Sequence, residues 1–551
     1  MAMALNIEKD RLFEAGTTDT IWKKYCGFLD LSLEDCMIIQ KALLMEQVEL
    51  VWDSGLVRMI THEEKPASVD EFRRIFPLTT YKDYEPVLGG KREDFLVGKP
   101  AIWAHTSGHS GVNKWVPYTT GNVSRLADDT LSAFILSSAT RKGKVHLRPD
   151  VRVVLNLPPV PYITGIMAWS AGQRISYQAI PPLEKADKMS FQGRIQEGYI
   201  IALGTGVDFV ASISVVLAKV GENFSHISGR ARFDLDFWRP MALWRIFQAL
   251  LKSKIAKRPI LPRDIWKVKG LVCGGTDTAV YRDQIYYHWG VQPLEVYAST
   301  ETGIIAMQGW NKKDMTMVPY SNFYEFIPEE EWLKGKENPE YQPSTVLLDE
   351  VKPGRTYEIV ATNFHGGAFL RYRLGDLVKF TTMADNQTDV KLPQMVFFSR
   401  ADELIDIAGF TRLDEKTIWT AIKNTMTPYE DWCARKEFRG GRPVLHLYLE
   451  LKNGDIPDAD FARQVDAQLA MLNEGYRDLK NMVGVPPVIV TLLKNGTFTR
   501  YMQEKQAEGF DLAHLKPPHI NASDQIINNL TLISEREPVI ARKEGETLSR
   551  I

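Results

Sequence analysis

The sequence predicts an α/β protein: a large multi-sheet N-terminal domain followed by a smaller α+β C-terminal domain. Three observations predict it. The chain has 551 residues, too many for one ordinary hydrophobic core. Between about Pro100 and Arg400, short apolar runs alternate with helical stretches, as they do where helices cover sheets. Near Arg400 the texture changes to a compact strand–helix–strand pattern. The boundary is set at Arg400–Asp402, giving domains 1–400 and 401–551.

Each element follows from its own pattern. The opening segment carries Met37, Leu44, Val48 and Val51 on one helical face, a stripe that packs onto a larger body. Val151–Leu157 is a β-rich run, Phe237–Lys252 reads as helix, and Val268–Val272 reads as a strand leading into a glycine turn. In the second domain, Leu445, Leu447, Leu449 and Leu451 alternate like a half-buried strand. Phe461, Val465, Leu469, Leu472 and Tyr476 then form a helical stripe, and Val488–Leu493 reads as another strand. Residues 521–551 are polar with little periodicity and are expected to be a peripheral tail.

Composition narrows the class. Hydrophobic residues make up 44% and charged residues 25%, a globular balance. The formal charge of −2 supplies no bulk field toward nucleic acid or an anionic membrane. The four cysteines, Cys26, Cys36, Cys273 and Cys433, form no C-x-x-C pair, which argues against a disulfide scaffold or cysteine zinc site and fits a reducing compartment. Met1–Asp10 lacks the basic and apolar segments of a secretory signal. The apolar stretch Tyr199–Val220 is interrupted by Gly204, Gly206 and Asp208, too polar to span a bilayer. The expectation is a soluble cytoplasmic protein with neither nucleic acid nor membrane as partner.

The strongest chemical feature is His105–Lys114, H-T-S-G-H-S-G-V-N-K. Thr106, Ser107 and Ser110 offer hydroxyl donors, and Gly108 and Gly111 let successive N–H groups turn toward one anion. Lys114 adds a charge for a phosphate oxygen, worth roughly 4 kcal/mol at 4 Å and an effective dielectric of about 20, before desolvation. The loop is not the G-x-x-x-x-G-K-[ST] kind, because no glycine precedes Lys114. A solvated Ser/Gly loop is the plain alternative. A nucleophile elbow fails because Val112 stands where glycine is required. His105 and His109 have zinc-ligand spacing, but Ser107 and Gly108 disfavour the helix that would align them; both histidines read as loop residues.

Four further elements follow in order: Cys273-Gly274-Gly275-Thr276, Tyr297-Ala298-Ser299-Thr300-Glu301, Arg371-Tyr372-Arg373-Leu374-Gly375-Asp376, and Ser399-Arg400-Ala401-Asp402-Glu403. Each alone is weak; their serial order is specific. The set resembles the adenylate-forming superfamily, and within it the Gretchen Hagen family of acyl acid amido synthetases. That branch is marked by Phe76-Pro77-Leu78-Thr79-Thr80-Tyr81, Phe323-Tyr324-Glu325-Phe326-Ile327-Pro328, Tyr357-Glu358-Ile359-Val360, and Gly496-Thr497-Phe498 with Lys516-Pro517-Pro518. The resemblance covers roughly residues 70 to 520.

The resemblance implies an ATP- and Mg²⁺-dependent ligase. It would form an acyl-adenylate from a carboxylic acid, then pass the acyl group to an amine, foremost an amino acid, giving an amide. The alternatives are a thioester with coenzyme A, or a non-catalytic nucleotide- or acyl-binding relic. Carried over by motif, Thr106, Ser107, Gly108, His109, Ser110, Gly111 and Lys114 would hold the phosphates. Gly274, Gly275, Thr276, Tyr297 and Ala298 would line the base. Ser299 and Thr300 would border the α-phosphate, and Glu301 would ligate Mg²⁺. Asp376 and Arg400 would meet the ribose. Asp402 would be the hinge of a mobile C-terminal domain, with Lys516 or Lys505 as the cation it delivers. His109 stands where the family has threonine, Ala298 where it has glycine, and Arg412 is displaced by one residue. The acyl pocket is expected from Leu157–Gln173 and Phe237–Leu250, favouring an apolar or aromatic acid.

Overall fold

The computed structural model describes residues 8–105, 114–186, 188–227, 240–275, 278–338, 340–401, 404–408, 411–452, 458–483, 487–507 and 517–535. Two compact units emerge. One comprises Met1–Asp402 with Ala408–Thr411 and Asn481–Val483; the other comprises Glu403–Ile407, Arg412–Lys480 and Gly484–Ile551.

After a run of helices, the first strands of the first unit are the antiparallel pair β1 (Ile102–His105) and β2 (Trp115–Tyr118). Its body is one sheet of eleven strands: β3 (Val151–Asn156), β4 (Tyr177–Ile180), β5 (Phe209–Ile213), β6 (Gly270–Gly274), β7 (Pro293–Ser299), β8 (Gly303–Gln308), β9 (Met315–Met317), β10 (Asn322–Pro328), β11 (Thr356–Asn363), β12 (Tyr372–Thr382) and β13 (Gln394–Arg400). Their spatial order is β10-β11-β12-β13-β9-β8-β7-β6-β5-β3-β4. The strands β3 to β7 pair in parallel. From β7 to β8 onward every pairing is antiparallel. The parallel strands are buried runs such as Phe-Val-Ala-Ser-Ile in β5, because helices cover both of their faces. The sheet therefore changes character at β7, and ligands of parallel sheets gather outside the strands' carboxyl ends.

The opening helix Leu33–Val51 buries Met37, Leu44, Val48 and Val51 as its stripe required. It also buries Gln40, whose amide donates to Pro319 O and Asn322 O at 2.5 and 2.7 Å. A buried amide in such a stripe persists only when its polar atoms are satisfied.

The second unit holds β14 (Leu404–Ile407) and all of β15 (Thr411–Asp414) after its first residue. Its three-stranded sheet is β16 (Tyr429–Arg439), β17 (Arg442–Leu451) and β18 (Val488–Leu493), with β17 and β18 parallel. Two helices lie between β17 and β18: Asp458–Leu472, which buries Phe461, Val465 and Leu469, and Glu474–Val483, which carries the buried Tyr476; the expected single stripe is thus broken after Leu472, which is exposed. With that difference, this is the strand–helix–strand unit read from the alternation.

The tail expectation needs correcting. Residues 524–535 form the helix Asp524–Glu535, which buries Ile527, Leu530 and Ile533 in a core with Cys433, Tyr448, Phe498 and Tyr501. The three-residue spacing of those apolar positions carries the segment into the core, even though Asn528, Asn529 and Thr531 make it look polar.

Candidate nucleotide and metal site

The site is assembled from the loops at the carboxyl ends of β6 and β7 and from the start of β12. β6 ends at Gly274, and Gly275 follows at φ +113° with the position of a Cβ 3.4 Å from Ala408 O. That backbone is open to glycine and strained for other residues. Thr278 supports the turn, donating to Gly275 O at 3.2 Å and bonding Ser214 Oγ at 2.7 Å. Thr276 lies outside the described residues.

Beside it, β7 runs through Tyr297, Ala298 and Ser299 into the turn Thr300–Thr302. Thr302 N donates to Ser299 Oγ at 3.2 Å, and Gly303 opens β8 at φ +71°. Three side chains from distant segments hold the turn's carbonyls. Tyr118 OH donates to Thr300 O at 2.8 Å, Asn363 Nδ2 to Glu301 O at 3.1 Å, and Asn322 Nδ2 to Thr302 O at 3.0 Å. With the backbone fixed this way, the half-buried Glu301 side chain is presented from a rigid support.

Its carboxylate accepts a hydrogen bond from Tyr372 OH at 3.3 Å. Burial pushes the Tyr372 hydroxyl well above its ordinary pKa, and the Glu301 charge adds to the rise. Tyr118 is raised for the same two reasons in the same order. Tyr81 rises to about 12, by burial first, with Glu85 and Glu301 adding to it against a backbone hydrogen bond. Glu301 is thus ringed by tyrosines that stay neutral.

Tyr81 feels the Glu301 charge and also meets the end of the His105–Lys114 loop. It begins the helix Tyr81–Leu88, whose start is fixed by Thr80 N donating to Asp83 at 2.7 Å. Tyr81 OH donates to Trp115 O at 3.2 Å and accepts from Trp115 N at 2.9 Å. Lys114 Nζ lies 5.1 Å from the Tyr81 ring centre. One tyrosine therefore clamps the end of the loop beside Lys114 and feels the Glu301 charge. The loop residues Thr106, Ser107, Gly108, His109, Ser110 and Gly111 lie outside the described residues. His105 is the last residue of β1 rather than a loop residue; its ring stands 4.9 Å from Trp115 and 5.5 Å from Tyr162, which explains its place in the hairpin by packing.

A second cluster lies along β12 and β13. Asp376 pairs with Arg400 in strand register and in an ion pair of 2.5 Å. Its other oxygen accepts from Tyr297 OH at 2.6 Å. Between Tyr372 and Asp376 the pairing of β12 with β11 shifts register, and Gly375 stands there at φ +68°, so simple alternation does not set their faces. Ser399 and Ala401 flank Arg400 at the end of β13. Asp402 and Lys516 lie outside the described residues. Lys505 is half-buried in the helix Thr497–Ala507 of the second unit.

Sequence reasoning did not single out Tyr118, Asn322, Asn363 or the role of Tyr372. Tyr372 sits inside a motif already quoted, so its signal was present; the other three act across long stretches of chain. The expected acyl-pocket stretch also fares differently. In the helix Pro240–Ala256, Leu243, Trp244, Phe247 and Leu250 are exposed, because its alanines occupy the buried side. Within Leu157–Gln173, the helix Ile163–Arg174 buries Gly165, Ile166 and Ala168.

For Mg²⁺, the geometry offers one carboxylate, Glu301, and among the described residues no group of three or more histidine, cysteine or acidic side chains. Magnesium bound to a nucleotide takes one or two carboxylates plus phosphate oxygens, so this donor set fits it.

Comparison with known proteins places the chain. Its fold matches that of 2-hydroxyisobutyryl-CoA ligase in complex with 2-HIB-AMP and CoA, with TM-score 0.52 at 14% identity, covering 84% of this chain and 87% of that one. Models described as the GH3 family N-terminal, central and C-terminal domains match residues 26–149, 315–400 and 416–525. Jasmonoyl--L-amino acid synthetase JAR6 of Nicotiana attenuata is 36% identical over 515 residues, 81% of this chain and 84% of that protein. The chain belongs to the GH3 family. Indole-3-acetic acid-amido synthetase GH3.3 of Arabidopsis thaliana is 26% identical over 263 residues, 44% of this chain and 41% of that protein. Jasmonoyl--L-amino acid synthetase GH3.5 of Oryza sativa subsp. japonica is 27% identical over 283 residues, 47% of this chain and 46% of that protein. The matches to these two span less than half of either relative's length.

Proposed function

We propose that this protein is an ATP-dependent ligase that joins a carboxylic acid to an amine. The observation that carries the reading is Glu301, held by tyrosines and asparagines on the β7–β8 turn, with Tyr81 beside Lys114 and sensitive to the Glu301 charge. The names of the relatives, all amino-acid or amido synthetases, support the amide as product.

In the first half-reaction an oxygen of the substrate carboxylate attacks the α-phosphorus of ATP, and pyrophosphate leaves. Lys114 and the loop amides stabilise the charge that gathers on the phosphate oxygens. Glu301, together with phosphate oxygens, would hold Mg²⁺, which would supply further charge neutralisation. Asp376 takes the ribose hydroxyls, with Tyr297 and Arg400 fixing its carboxylate. In the second half-reaction the amine attacks the acyl carbon, AMP leaves, and the amine loses a proton. An amino acid is the acceptor in this reading, and the acid is apolar or aromatic. The hinge is Asp402, the two domains divide at 400–402, and Lys516 or Lys505 is the cation of the C-terminal domain. Four free, buried cysteines and the lack, among the described residues, of a helix able to cross a membrane are compatible with a cytoplasmic setting.

The test is ATP–pyrophosphate exchange across a library of carboxylic acids, followed by weighing the product formed with amino acids or with coenzyme A. Loss of one preorganised donor typically lowers rate by about 10²–10³, so Lys114→Ala and Glu301→Ala should each suppress exchange by that order. Near wild-type exchange in both variants would overturn the site. A coenzyme A thioester as sole product would overturn the acceptor.

A further inference from the structure

The helix Pro240–Ala256 is packed inside out. Ala242 and Ala249, its small residues, are fully buried. Its large residues face the other way: Leu243, Trp244, Phe247, Leu250, Leu251 and Ile255 are all exposed, from 43% at Leu243 to 75% at Ile255. At 100° per residue these six fall on one half of the helix circumference. Trp244 and Phe247 stack with their ring centres 6.0 Å apart. A helix of a globular domain turns its large apolar side chains to the core, and a contiguous exposed apolar stripe marks an interaction surface.

Charge says which surface. Residues 240–258 contain no aspartate or glutamate and five cations, Arg245, Lys252, Lys254, Lys257 and Arg258. Arg245 is engaged with Leu203 O and Gly204 O, and Arg258 with Asp264. Lys254 and Lys257 are exposed at the carboxyl end of the stripe. The chain's overall charge of −2 hides this local excess.

A second copy of the same face would bring cations toward cations, with no carboxylate on either helix to meet them. Exposures of 43% and more along the whole stripe describe a convex ridge, whereas a groove for a partner helix would shield its floor. A ridge of Trp, Phe and Leu with lysines at its carboxyl end is what lies in a lipid interface, the apolar side chains among the acyl chains and the long lysine side chains reaching to anionic headgroups. We propose that Pro240–Ala256 docks the protein on an anionic phospholipid surface, as a peripheral contact that does not cross the bilayer.

The experiment is co-sedimentation of the full chain with vesicles of phosphatidylcholine alone or with phosphatidylglycerol added. Wild type should sediment with the anionic vesicles, stay in solution with phosphatidylcholine, and be released by high salt. Trp244→Ser with Phe247→Ser, and separately Lys254→Glu with Lys257→Glu, should each lower partitioning at least about tenfold while leaving pyrophosphate exchange and thermal unfolding unchanged. Wild type remaining in solution with both vesicle types, or variants sedimenting like wild type, would refute the proposal. So would a wild-type dimer that the serine variant dissolves, which would assign the ridge to a second copy. Loss of folded protein in the serine variant would assign the ridge to the chain's own interior and would also end it.

Discussion

Replacing Tyr372 by phenylalanine removes one oxygen from the support of Glu301 and leaves the packing in place. Tyr372 is 4% exposed and its ring lies 4.6 Å from Phe369, so phenylalanine fills the same space. What disappears is the hydrogen bond to Glu301 at 3.3 Å. A hydrogen bond to a charged group contributes about 1.5–3 kcal/mol. For an O–H donor, 3.3 Å is beyond the usual range, so the lower end applies, about 1.5 kcal/mol or roughly tenfold in an equilibrium constant. If Glu301 holds Mg²⁺, that tenfold belongs to metal affinity: the half-saturating Mg²⁺ in pyrophosphate exchange should rise about tenfold and the rate should recover at saturating metal. Tyr84→Phe is the control. Tyr84 packs 6.2 Å from Tyr372, yet its hydroxyl serves the Leu370 backbone, so its loss should lower the melting temperature and leave the Mg²⁺ curve unmoved. An unchanged Mg²⁺ curve in Tyr372→Phe, or a rate loss that added metal does not restore, would refute the reasoning.

Asp376→Asn keeps the shape and removes the charge that Tyr297 and Arg400 address; the KM for ATP should rise roughly 10- to 100-fold with a smaller change in kcat, and an unaltered KM would remove Asp376 from the nucleotide. In the second unit, His519 lies 2.5 Å from Glu415 and 2.8 Å from Asp431. Its pKa is raised, chiefly by the hydrogen bond to Asp431, with Glu415 adding to it and burial opposing. A raised folded-state value means its stabilisation is complete below the unfolded histidine value near 6.5 and is lost as pH climbs through the folded one. The melting temperature of wild type should therefore fall across that interval, and His519→Gln should flatten the slope. Leu530→Ala, at a position with 0% exposure, should destabilise the second unit by about 2–5 kcal/mol, read by urea unfolding; a near-neutral result would restore the view of residues 524–535 as a tail.

What was legible in the sequence was local. Lys114, Glu301 and Asp376 each sit in a short run whose residue types fit one chemistry, and the serial order of those runs sufficed to identify the family. Alternation revealed β17, and the stripe from Phe461 to Leu469 revealed the helix beside it. What was not legible joins residues far apart in sequence. Tyr118 and Thr300, or Asn363 and Glu301, meet only because the sheet brings their strands together, and no periodicity encodes that. Two helices misled for physical reasons. Asp524–Glu535 shows asparagines on its wet side, so the apolar triad reads weaker than it is. Pro240–Ala256 buries alanines, so its aromatic side reads as core when it faces outward.

The placement of β13 has a consequence for biosynthesis. This strand closes the gap between β12 and β9, pairing Lys379 with Val396 on one side and Met315 with Met395 on the other. A ribosome that has made everything through β12 still leaves both of those neighbours with bare edges, which invite pairing with other chains. The nascent protein therefore waits for residue 400 before the two halves of its largest sheet can be joined, and both inner edges are bare from the completion of β12 until then.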